Sequence, residues 1–87
     1  MIMEEMIYGW RVFLYPKRYS RKENYIYGIC TDSWHAPNAE DAVNILITML
    51  QRRNVPYNDE SIIGVTKDMN GHACREFRKE LRTWIKQ

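Results

Sequence analysis

Apolar and polar positions along the chain fall into periodic runs, and the longest covers residues 39–53, AEDAVNILITMLQRR. At about 100° per residue, Ala39, Ala42, Val43, Met49 and Leu50 gather within roughly 60° of Leu46, and Ile45 and Ile47 flank that arc. Asp41, Asn44, Thr48, Gln51 and Arg52 take the opposite side. The run predicts an amphipathic helix laid against a broad apolar surface. Asn38 is a suitable N-cap, Glu40 and Asp41 place negative charge in the first turn, and Arg52 and Arg53 place positive charge at the other end.

Upstream the period shortens to two. Residues 6–15 are rich in aromatic and β-branched types and predict a strand ended by Pro16, which lacks a ladder donor. Residues 17–23 form a polar, basic loop, and residues 24–31 predict a second strand paired with the first as an antiparallel hairpin. With the loop centred near Ser20, one hairpin face carries Tyr8, Trp10, Val12 and Leu14 beside Ile26, Gly28 and Cys30. The other carries Arg11, Phe13 and Tyr15 beside Tyr25, Tyr27 and Ile29. The first set is uncharged and is expected to take the helix.

Residues 32–38 connect to that helix and include Trp34 and His35. After it, residues 54–60 read as a loop around Pro56 and residues 61–67 as a third strand. Asn70 and Gly71 form a strong turn dipeptide. Residues 73–86 then place Ala73, Cys74, Phe77, Leu81, Trp84 and Ile85 on one arc of roughly 120°, which predicts a second helix. A competing reading makes Asn70-Gly71 a hairpin turn leading to a short fourth strand over residues 72–74.

The predicted order is β-β-α-β-α. The expected fold is α+β, a three-stranded, mainly antiparallel sheet with two helices packed on one face. Trp10, Val12, Leu14, Ile26, Val43, Leu46, Leu50, Phe77 and Leu81 are the expected core. Residues 1–87 read as a single small domain, with residues 1–5 as a loose leader. The composition is globular, at 45% hydrophobic and 28% charged. No apolar run approaches the ~18 residues of a membrane span, and the start of the chain does not resemble a signal peptide, so the expected compartment is the cytoplasm.

Net charge is +2 but uneven: residues 1–30 sum to +2, residues 31–50 to −3 and residues 71–87 to +3. Lys17, Arg18, Arg21 and Lys22 concentrate positive charge in the hairpin loop. On the predicted last helix, Arg75, Lys79, Arg82 and Lys86 form a stripe opposite the apolar arc, with Arg78 at its edge.

Two cysteines, Cys30 and Cys74, make no disulfide framework and are expected to be buried thiols. With His35 and His72 they supply four ligands of types that zinc accepts, but their spacing matches no finger or knuckle, and no metal or cofactor is expected. Cys30, Asp32 and His35 lie close in sequence, as nucleophilic catalysis would need, but Cys30 is expected to point inward. No phosphate loop, nucleophile elbow or carboxylate pair is present. The chain therefore reads as non-enzymatic.

The outer hairpin face, with Arg11, Phe13, Tyr15, Tyr25 and Tyr27, is the leading candidate for binding, because Tyr and Arg are common interface anchors. The expected function is a small binding module acting by protein–protein contact, through self-association, a larger protein partner or both. Its small size suits an accessory or inhibitory protein of phage or mobile-element type, working in host cytoplasm if viral. The alternative is RNA or DNA binding, with rings stacking bases and the basic loop and last helix holding phosphates.

Overall fold

The computed structural model describes residues 8–16, 24–69 and 72–85. Strand β1 (Tyr8–Tyr15) pairs antiparallel with β2 (Tyr27–Asp32) on one side and with β3 (Ile62–Met69) on the other. Helix α1 (Ala39–Arg52) connects β2 to β3. It begins at Asn38, whose side-chain oxygen accepts the Asp41 N–H at 2.9 Å. The acidic first turn and basic last turn follow the dipole as expected.

The helix ends in a way that its composition does not announce. Asn54 adopts a left-handed conformation, φ 56°. Its N–H reaches the Gln51 carbonyl, and the Val55 N–H reaches that of Leu50. These two bonds make a Schellman cap with asparagine where glycine is more usual.

The core lies between α1 and the sheet. Val12, Leu14, Ile63 and Val65 point from β1 and β3 toward Ala42, Val43, Leu46 and Leu50, all buried. Trp10, Ile45 and Ile47 pack partly buried against this cluster. The Trp10 indole N–H donates to the Ala36 carbonyl at 2.7 Å and ties the connector to the sheet.

The sheet is larger than the predicted three strands, and its C-terminal part differs in kind. Residues 73–86 do not form one helix. β4 (His72–Ala73) and β5 (Phe77–Glu80) both pair antiparallel with β3, followed by a single helical turn, α2 (Leu81–Trp84). Met69 pairs with His72, the arrangement of the competing hairpin reading; Asn70 and Gly71 lie outside the described residues. Between the Asp68–Ala73 and Val65–Phe77 pairs, residues 74–76 face residues 66–67. That extra residue is a β-bulge, so β4 and β5 are two halves of one bent edge. The Cys74 N–H donates to the Lys67 carbonyl at 2.7 Å, and the Thr66 hydroxyl donates to the Cys74 carbonyl.

Propensity loses here to long-range pairing: residues 75–80 are mostly good helix formers, but a helix there would leave the β3 edge unpaired. Leu81 still reaches the core as predicted, and Trp84 donates its indole N–H to the Ile63 carbonyl at 2.9 Å. Phe77 does not reach the core; it is half exposed.

Candidate interaction surfaces

The sheet face opposite α1 is covered by no described element. In register across it lie Gly28, Phe13, Gly64 and Arg78. The two glycines flanking Phe13 leave hollows that rings fill. A Cβ on Gly28 would lie 2.5 Å from the Phe13 ring and 3.2 Å from that of Tyr25. A Cβ on Gly64 would overlap the Glu76 carboxylate and come within 2.7 Å of the Tyr15 ring. Tyr25, Phe13 and Tyr15 consequently form a strip, with centroids 4.6 Å apart for the first pair and 6.4 Å for the second.

Charge borders the strip in matched pairs. The Arg11 guanidinium meets the Asp68 carboxylate at 2.7 Å. Arg78 lies over the Tyr15 ring at 4.3 Å and bonds Glu76 at 2.6 Å. The Tyr15 hydroxyl donates to the same carboxylate at 2.7 Å. Burial first, then this carboxylate, raises the Tyr15 pKa from 10.0 to about 12.

Four of the five residues expected on this face are there: Arg11, Phe13, Tyr15 and Tyr25. Tyr27 is not. The Ile26 N–H donates to the Leu14 carbonyl at 2.7 Å, while Tyr27 is the residue in register with Leu14. Two residues thus answer to one, the count of a β-bulge, and the alternation shifts by one step. Tyr27 and Ile29 turn toward the helix and pack against the core; Gly28 and Cys30 turn to the outer face. Ile26, expected in the core, is 56% exposed. Cys30 and Cys74, expected to be buried, are both exposed, one at each edge of the sheet.

The basic stripe of the predicted helix is dispersed. Arg75 lies in the bulge, Lys79 in β5 and Arg82 in α2, where it bonds Glu80 at 3.2 Å. Lys17, Arg18, Arg21, Lys22 and Lys86 lie outside the described residues. A different basic cluster takes shape on the helix side of the sheet. A cleft of about 340 Å³, lined by Trp10, Val65, Lys67, Phe77 and Trp84, opens beside α1. Lys67 lies 4.4 Å from the Tyr8 ring centroid, Lys79 4.8 Å from that of Trp84 and Arg75 5.4 Å from that of Phe77. None of these three cations has a carboxylate partner among the described residues. Pairs such as Lys67 with Tyr8 are distant in sequence, so no local pattern announces them.

Asp32 and His35 do meet. The carboxylate accepts the His35 backbone N–H at 3.0 Å and contacts ring Nδ1 at 2.8 Å, which lowers the Asp32 pKa. Cys30 lines a second, shallow cleft together with Asp32 and His35, but among the described residues no hydrogen bond joins its thiol to the imidazole. No set of three His, Cys, Asp or Glu side chains there is arranged to hold a metal ion. No helix among the described residues is long and apolar enough to cross a membrane. Comparison with known proteins finds no matching family, curated protein or solved structure.

Proposed function

We propose that this chain is a non-enzymatic binding module that acts by protein–protein contact and associates with a second copy of itself. The observation carrying this is the uncovered side of the hairpin. Tyr25 and Ile26 are more than half exposed and the Phe13 ring continues the Tyr25 patch, while Trp34, 87% exposed, stands beyond the other end of β2. Contiguous apolar surface with aromatic anchors and a charged border is what recognition surfaces use. The ion pairs at the border neutralise nearby charge, and Glu76 with Arg78 covers Tyr15, so Tyr25 and Phe13 are the rings left to a partner. Such a module suits an accessory protein of phage or mobile-element type, which would act in host cytoplasm. Sedimentation velocity tests the self-association: a species of twice the 10.5 kDa chain mass at micromolar concentration is expected, and a monomer throughout removes it.

A second reading, nucleic-acid binding, has its own support in the three cations laid over rings around the Trp10–Phe77–Trp84 cleft. Stacked rings with adjacent positive charge suit single-stranded RNA or DNA.

A further inference from the structure

The two edges of the sheet are built differently. The β4–β5 edge is broken by a bulge and carries Arg75, Glu76, Arg78, Lys79 and Glu80, devices that discourage a further strand. Over residues 28–32 the β2 edge has no bulge, its own bulge lying before that stretch at residues 26–27, and a single charge, Asp32, at its end. Its six residues, YGICTD, contain no proline and no cation.

The pairing pattern shows which groups that edge offers. Ser33 donates its N–H to the Tyr8 carbonyl at 3.1 Å. Antiparallel pairs alternate, so Thr31, Ile29 and Tyr27 turn their backbone groups toward β1. Gly28, Cys30 and Asp32 therefore turn theirs outward. The Asp32 carbonyl is taken within its own turn by the Ala36 N–H. The N–H and C=O of Gly28 and Cys30 and the N–H of Asp32 face the open edge.

We propose that a second copy of this chain pairs antiparallel along β2, about a two-fold axis through Cys30. This rests on the self-association above and specifies its surface and register. Every symmetric alignment centred on a residue keeps outer face beside outer face; the two that pair the longest stretch of β2 are centred on Ile29 and on Cys30. Centring on Ile29 sets the Asp32 carboxylate against exposed Ile26. Centring on Cys30 sets Asp32 opposite Gly28 and brings Ile26 toward the turn bearing Trp34. These two side chains, the most exposed large hydrophobics among the described residues, lie four positions either side of Cys30. The edge is thus self-complementary about that residue, as an isologous contact requires. Cys30 serves here as the axis position and as a reporter.

The test uses the Cys74→Ser chain, which leaves one exposed thiol, and a short bis-maleimide cross-linker. Rapid, near-complete cross-linking between chains is expected, with none in Cys30→Ser. In a second variant, Cys30→Lys places two like charges on the axis and should weaken dimerisation at least tenfold, while circular dichroism stays unchanged. A monomer at every concentration overturns this proposal together with self-association. A dimer that fails to cross-link through Cys30 and survives Cys30→Lys overturns only the edge pairing.

Discussion

Tyr15 and Glu76, 61 residues apart, share a 2.7 Å hydrogen bond on a sheet face that otherwise lies open. The contact binds the bulged C-terminal edge to the first strand, and Tyr15 is 95% covered because Glu76 and Arg78 lie over it. The phenol must stay protonated to donate. Its folded pKa of about 12 is above the ordinary 10.0, so the contact supports the fold fully below pH 10 and loses its effect as pH rises toward 12. Absorbance titration should show one phenol ionising late, absent in Tyr15→Phe. The stability difference between the two proteins should shrink across that interval, and equal differences at pH 9 and 12 would contradict it.

Gly64→Ala should cost about 1–3 kcal/mol, since a methyl group there overlaps the Glu76 carboxylate and the Tyr15 ring in the central part of the sheet. It should also return the late-titrating phenol toward its ordinary pKa. The nearest atoms that Gly28→Ala meets belong to the Phe13 and Tyr25 rings, and Tyr25 is exposed and able to move, so urea denaturation should show a smaller loss.

Asn54 holds the left-handed position that closes α1. Asn54→Ala should lower stability by about 1 kcal/mol, whereas Asn54→Gly should be neutral or slightly favourable. Equal stability of all three chains in urea would mean that the Schellman turn contributes nothing.

For the nucleic-acid reading, affinity for single-stranded RNA must fall with salt. Three phosphate contacts from Lys67, Arg75 and Lys79 give a log–log slope of about −2, and changing all three to Gln should flatten it. No retention in filter binding at about 50 mM salt removes this reading.

What the sequence revealed depended on how local the deciding interactions were. Helix α1 is fixed by its own period and cap, and both were readable at Asn38 and Leu46. Strand β1 was readable because its alternation from Trp10 to Tyr15 runs without interruption. The same rule misplaced Tyr27, because one bulge beside Leu14 inverts every later side chain of β2. The arc from Ala73 to Trp84 has helical spacing, but Phe77 sits in a strand since β3 needs a partner along its second edge. The ring strip was partly legible from Phe13, Tyr15 and Tyr25. Glu76, Arg78 and Asp68, which border it, arrive from distant segments through strand register alone.

The single extra residue in the β4–β5 edge also sets a valence. A sheet with two receptive edges can add copies at both and grow without limit. With one edge bent and charged, a copy that docks on β2 would use the receptive edge that the described residues offer, and addition would stop at two. The bulge held by Thr66 and Cys74 would then act at a distance as a chain terminator, keeping a self-complementary strand from becoming the seed of a fibre.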